Sequence, residues 1–386
     1  LWQALQYGND EGNTSFLAEL KAFLSRHTRN DDFGALGVSS TRTDDERKTS
    51  FFVTSGVSHG IELLCATQTR PGDVVLVERP TYFLAGGIFR THGLVVRGLP
   101  IHKSTGDINV DKLLELVENG TMEAPRMIYI IPTHQNPTAH TMDIGDRIKL
   151  ATFARRYGVL VVSDEVYHLL DWRDSEIDGP RPAGMASISS KLYDIVDTSS
   201  HGECVSVSSF TKIFAPGIRL GWVEASPGTI KSLSNYGYIR SQGGCAPFIG
   251  EIMRTALKSH VADDVLSKLT KEYKLRSEKL CSLLATERRI VVVNRTLGGY
   301  FTWIKFPEFV DCEQFLEFCN GRVKFLPGVR CDIASGLDAE IDHRLFASYA
   351  RLCFADLDVK DLESGVAVLV ECFREYMLIL ESDQYG

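Results

Sequence analysis

A lysine stands where an apolar run gives way to hydroxyl residues. Lys212 lies in VSVSSFTKIFAPGIRLGW (residues 205–222), with Arg219 seven positions on. An amine attacks an aldehyde only when deprotonated, and a partly desolvated pocket holding other cations lowers a lysine pKa enough to allow it. Ser208, Ser209, Thr211 and Arg219 offer the hydroxyl and guanidinium donors that suit a phosphate dianion. The same run also reads as a strand followed by a solvated loop with an ordinary surface lysine.

Three further strand ends carry polar groups of fitting type. Asp164 closes the run Val159–Ser163, where an aspartate is costly without a cationic partner. A protonated pyridine nitrogen would serve, and the pairing would keep such a ring cationic and able to accept electrons; a helix cap or a metal ligand is the other account. Tyr167 either donates to a ring oxygen or packs as a plain aromatic. Asn136 and Pro137 follow the run ending at Ile131, and Pro80, Thr81 and Tyr82 follow Glu78. Tyr82 either stacks on a flat ring or fills the core. VTSGVSHG (53–60) leads into a helix whose first N–H groups would bind phosphate, or is a plain glycine turn. Arg351 sits in an apolar stretch (348–355) and needs an anion, either a substrate carboxylate gripped by two parallel hydrogen bonds or an internal Asp or Glu.

In an open parallel sheet, ligands bind at the carboxyl ends of strands, so these groups must be positioned by alternating strands and helices. The apolar runs 73–78, 94–97, 127–131, 159–163, 204–208 and 220–224 read as strands buried on both faces. Between them, residues 14–26, 58–67, 110–118 and 143–157 carry apolar residues at three- and four-residue spacing, with Asp143 as an N-cap. From about residue 262 the pattern becomes α+β: a charged helix over 262–287, strands at 289–294 and 300–305, and helices at 312–320 and 360–376. The expected organisation is a large α/β domain (1–265) with a mainly parallel sheet of the seven-stranded type flanked by helices, and a smaller α+β domain (266–386). Residues 171–202, rich in polar residues and containing Gly179-Pro180-Arg181-Pro182, read as a long surface connection or lid.

The chain has 386 residues, 44% hydrophobic and 24% charged, which is globular composition, and no apolar stretch approaches the ~20 residues of a membrane helix. A net charge of −8 without a basic run argues against a nucleic-acid surface. The nine cysteines form no Cys-x-x-Cys pair or framework, so reduced thiols in a cytoplasmic protein are expected, with no metal site. The N-terminus lacks a signal-peptide pattern and begins with Leu1, so residues upstream are expected.

Taken in order, TSGVSHGIELL (54–64), PGDVVLVERPTY (71–82), Asn136-Pro137, Asp164 with Tyr167, and SFTKIFAPGIR (209–219) resemble the fold type I pyridoxal-phosphate enzymes. Within these the chain resembles the class I/II aminotransferases. It looks most like the branch containing 2-aminoadipate and kynurenine aminotransferases and the aminotransferase-like half of certain bacterial regulators. The resemblance spans essentially the whole chain. It implies that Lys212 holds pyridoxal 5'-phosphate as a Schiff base, Asp164 pairs with the pyridine nitrogen, and Asn136 with Tyr167 bonds the ring hydroxyl. Tyr82 would stack on the ring. Val57, Ser58, Ser209, Thr211 and Arg219 would hold the phosphate, and Arg351 with Asn136 the substrate α-carboxylate. Tyr7 matches a tyrosine that reaches the neighbouring subunit's phosphate, which implies a homodimer.

There are departures. The family's Asn-Pro-Thr-Gly is Asn136-Pro137-Thr138-Ala139 here, Thr211 replaces a common serine, and Val57 replaces a hydroxyl or small residue and so offers only its backbone. The arm that usually precedes the Tyr7 block and lines the substrate pocket does not precede it in this sequence. The implied reaction moves an amino group between an amino acid and a 2-oxo acid, with the freed Lys212 taking the α-proton as base and returning it as acid. The same residues would also serve β- or γ-elimination, replacement or carbon–carbon bond formation, and a ligand-sensing module is a third reading.

Overall fold

The computed structural model describes residues 5–36, 49–102, 106–192, 202–334 and 344–383. Seven strands form the principal sheet: β1 (Ser50–Thr54), β2 (Val74–Val77), β3 (Val95–Gly98), β4 (Met127–Ile130), β5 (Leu160–Asp164), β6 (Glu203–Ser209) and β7 (Gly221–Ala225). Their order is β1-β7-β6-β5-β4-β2-β3. Neighbours are parallel from β3 to β6, while β7 pairs antiparallel with both β6 and β1. The expected mainly parallel sheet is present.

Its strands read as unbroken apolar runs because both faces are covered. In β4, Met127 and Tyr129 join one buried cluster and Ile128 and Ile130 join the other, as period-two alternation requires. The helices α1 (Thr14–Thr28), α2 (Val57–Gln68), α3 (Ala85–Thr91), α4 (Val110–Glu118), α5 (Ile144–Tyr157), α6 (Met185–Leu192), α7 (Pro227–Ser234), α8 (Gly237–Gln242) and α9 (Pro247–Lys258) connect or cover these strands. Asp143 caps α5, its carboxylate accepting from the Asp146 N–H.

A second, four-stranded sheet has the order β10-β11-β9-β8, from β8 (Val291–Val292), β9 (Phe301–Lys305), β10 (Leu326–Pro327) and β11 (Tyr349–Cys353), all antiparallel. It packs with α10 (Val261–Leu284), α11 (Cys312–Cys319) and α12 (Val359–Asp383). The two sheets are stitched together beside the carboxyl edge of the first. Arg79 and Asp332 form a buried bidentate ion pair at 2.8 and 2.5 Å, and the Thr81 N–H donates to the Cys331 carbonyl.

The structure corrects two expectations and adds two strands. Residues 171–202 are not simply a surface connection: α6 lies within them and buries Met185, Ile188 and Leu192 against β6 and α5. Those three residues have helical spacing, which the polar composition of the segment obscured. Residues 193–201 lie outside the described residues. The strand expected over 289–294 shortens to β8. Arg351 lies on a central strand, β11, that was not anticipated, and β1 was likewise missed because its buried SFFVT blends into the glycine turn that follows.

Candidate active site

β4, β5 and β6 end side by side, and the turns that follow them face the second sheet. Lys212 lies on the turn after β6 and is half-buried; burial, aided by Arg351 and Arg219, pushes its pKa below the ordinary lysine value. Its ammonium nitrogen sits 4.8 Å from the centre of the Tyr300 ring, and the Tyr300 hydroxyl donates to the Lys212 carbonyl at 3.0 Å.

Asp164 is the last residue of β5 and is 4% exposed. One carboxylate oxygen accepts from the Tyr129 hydroxyl at 2.9 Å and the other from the Val166 N–H at 3.3 Å. Burial outweighs these donors and pushes its pKa up to about 6. Its hydrogen-bond partners among the described residues are these two neutral donors, so it is a carboxylate in want of a positive partner.

A cradle of donors lies beside Lys212. Ser209 Oγ is 2.7 Å from Thr211 Oγ1 and accepts from the Thr211 N–H at 3.0 Å. Arg219 donates to Thr211 Oγ1 at 3.3 Å and to the Ser55 carbonyl at 3.4 Å. α2 starts here without any side-chain cap, which leaves its first N–H groups, those of Val57 and Ser58, available to an anion. Gly56 holds φ +93°, and a Cβ there would lie 2.9 Å from Arg219 Nη2, so only glycine lets the guanidinium lie against the start of the helix.

Arg351 forms the opposite wall. It donates to Asn136 Oδ1 at 2.8 Å, its guanidinium lies 4.0 Å from the centre of the Phe301 ring, and its buried Nε has no hydrogen-bond partner. Neither Arg351 nor Arg219 pairs with a carboxylate among the described residues. With its oxygen committed to Arg351, Asn136 offers its amide N–H to a ligand. Ala139, where the resembled family has glycine, holds φ +60°, and its N–H donates to the Gln135 carbonyl at 2.7 Å. The turn is thus kept in a conformation that alanine adopts under strain.

Tyr82 is half-buried, and burial and the Asp164 charge push its pKa up while Arg351 and Arg219 oppose them. Tyr167 is buried, with its ring 5.5 Å from Tyr300 and 6.1 Å from Phe301. Ser208 donates to the Glu165 carbonyl at 3.3 Å instead of joining the cradle. Tyr7 stands apart from the cluster: it is 85% exposed and packs on the Gly243 turn between α8 and α9. Two contributors escaped sequence reasoning. Tyr129 looked like one more apolar strand residue, although its pairing with Val162 puts it on the face of Asp164. Tyr300 reads in the sequence only as the first residue of the strand at 300–305.

The donor set suits a phosphorylated pyridine aldehyde: a carboxylate for a ring cation, hydroxyls and a guanidinium for a phosphate, and a depressed lysine between them. A family model, aminotransferase class I and II, matches residues 3–369. The chain belongs to this family. The aromatic-amino-acid aminotransferase 1 of Thermococcus litoralis is 27% identical over 384 residues, covering 97% of this chain and 81% of that protein. The kynurenine aminotransferase structure from Pyrococcus horikoshii aligns with a TM-score of 0.78 at 24% identity, over 97% of this chain and 83% of that one. LysN, an alpha-aminoadipate aminotransferase from Thermus thermophilus solved with N-(5'-phosphopyridoxyl)-L-leucine, gives 0.74 at 22%, over 97% and 85%. The fold is therefore that of the fold type I pyridoxal-phosphate enzymes, and the protein is a transferase of amino groups between amino acids and 2-oxo acids.

Proposed function

We propose that the protein carries out this transfer with pyridoxal 5'-phosphate bound covalently to Lys212. What supports this best is the pair of arginines without carboxylate partners, Arg219 and Arg351, on either side of a depressed lysine. They provide two anion seats, one for the cofactor phosphate and one for the substrate α-carboxylate. Ser209, Thr211 and the first N–H groups of α2, at Val57 and Ser58, complete the phosphate seat. Asp164 would pair with the pyridine nitrogen, Tyr82 would cover the ring, and Asn136 with Tyr167 would reach the ring hydroxyl. When bound, the cofactor supplies an electron sink for the bond broken at the substrate α-carbon.

The protein's own part is to orient and to move a proton. Arg351 fixes the α-carboxylate and so selects which α-carbon bond is broken, and the Lys212 amine takes the α-proton and returns it. Asp164 holds a negative charge where the ring nitrogen would be positive. Elimination and replacement at the side chain are not favoured, because the relatives are named for aminotransfer.

We further propose a homodimer. Tyr7 lies on the turn between α8 and α9 with Tyr238, Phe248 and Ile252 exposed nearby, an apolar surface suited to a second copy that would receive Tyr7. A cytoplasmic location fits nine cysteines that are all free thiols. No helix among the described residues is long and apolar enough to cross a membrane. The test is incubation of the loaded protein with a panel of amino acids and 2-oxo acids. Amino transfer is expected, and release of another amine-derived product without it would refute the reading.

A further inference from the structure

One side chain makes two contacts with Lys212. The Tyr300 hydroxyl donates to the Lys212 carbonyl at 3.0 Å, and its ring face lies 4.8 Å from the lysine ammonium nitrogen. Tyr300 enters from the second sheet, just before β9, so it joins the lysine turn to a different part of the fold.

Its placement is closely determined. The Gly298-Gly299 turn before it lies on His134, where a Cβ at Gly298 would come within 2.0 Å of the imidazole. Gly299 holds φ +73° and its N–H donates to the Leu170 carbonyl at 2.9 Å. The Tyr167 and Tyr273 rings brace Tyr300 at 5.5 and 5.2 Å.

We propose that Tyr300 is a positioning residue for Lys212: its hydroxyl fixes the lysine backbone, and its ring gives the amino group a seat whenever that group is not bonded to an aldehyde. The proposal rests on the role assigned to Lys212 above. A long amine stem released from a bond has many rotamers, and one preferred seat keeps it within reach of the α-carbon. An aromatic face does this without the firm ion pair a nearby carboxylate would impose. Lys212 faces Asp164 from β5, Arg351 and Cys353 from β11, and Arg219 from its own segment. The ring favours the cation and so partly opposes burial and the two arginines.

Two substitutions separate the contacts. Tyr300→Phe keeps the ring and removes the hydroxyl; Tyr300→Leu removes both. In cofactor-free protein, reductive methylation by formaldehyde and cyanoborohydride, followed against pH on the peptide bearing Lys212, reads that lysine's pKa. Wild type and the Phe variant should titrate together, with the Leu variant lower by about 0.5–1 pH unit. In loaded enzyme the Phe variant should lose roughly 5- to 10-fold in kcat while the KM for the amino acid stays within about two-fold. Absence of either effect overturns the proposal. A separate arm, borohydride reduction of the wild-type protein loaded with pyridoxal phosphate, tests the underlying role of Lys212. Label on another residue would refute that role and leave the methylation comparison readable.

Discussion

Asp164 should destabilise the cofactor-free protein, and replacing it with asparagine should reveal by how much. Burial holds its carboxyl at about 6 against an ordinary 3.8. Between about pH 4 and 6 the folded protein therefore holds more protons at this group than the unfolded chain, so stability falls as pH rises through that window and stays lower above it. At about 1.4 kcal/mol per pH unit of displacement, the loss is about 3 kcal/mol at pH 8 and about half that at pH 5, and it vanishes below about pH 4. Asp164→Asn keeps the shape and an oxygen for the Tyr129 hydroxyl but cannot ionise. Urea denaturation of the cofactor-free proteins, followed by circular dichroism at pH 5 and pH 8, should show the variant more stable at both, by roughly 3 kcal/mol at pH 8 and roughly half that at pH 5. Pyridoxal phosphate should stabilise wild type more than the variant, since only the carboxylate gains a cationic partner. A variant less stable than wild type at pH 8, or a gain that does not change with pH, would refute the reasoning.

Tyr129→Phe removes a hydrogen bond to that carboxylate, worth about 1.5–3 kcal/mol, so the stability loss should extend upward by about one to two pH units in the same titrations. Arg351→Ala should lower kcat/KM for an amino acid by roughly 100-fold and leave the slow reaction of amines lacking an α-carboxylate unchanged, as steady-state kinetics would show. Ala139→Gly should raise stability by up to about 1 kcal/mol, because glycine takes φ +60° without the cost alanine bears; the urea midpoint checks it.

The sheet was legible because its inner strands are buried on both faces and so appear as unbroken apolar runs between helical patterns. Six of its seven strands follow from that alone. β1 escaped because it is only five residues long and runs directly into the Ser55-Gly56 turn before α2, and β11 because Arg351 and the exposed Cys353 interrupt its apolar run. The residues at the strand ends were legible one by one, since polar groups at the close of apolar runs have few cheap explanations. Their assembly was not: the 2.8 Å contact of Arg351 with Asn136 joins residues 215 positions apart and depends on how the second sheet docks. Tyr129 and Tyr300 were invisible for a related reason. A tyrosine in a strand reads as packing until a structure shows where its hydroxyl points.

The proposed bond between Lys212 and the cofactor can be tested directly. Borohydride reduction of the pyridoxal-phosphate-loaded protein, proteolysis and mass spectrometry should place a phosphopyridoxyl group on Lys212, with no incorporation and no visible-edge absorbance in Lys212→Ala. A colourless wild-type protein that takes up no pyridoxal phosphate, or a phosphopyridoxyl group on any other lysine, would contradict it.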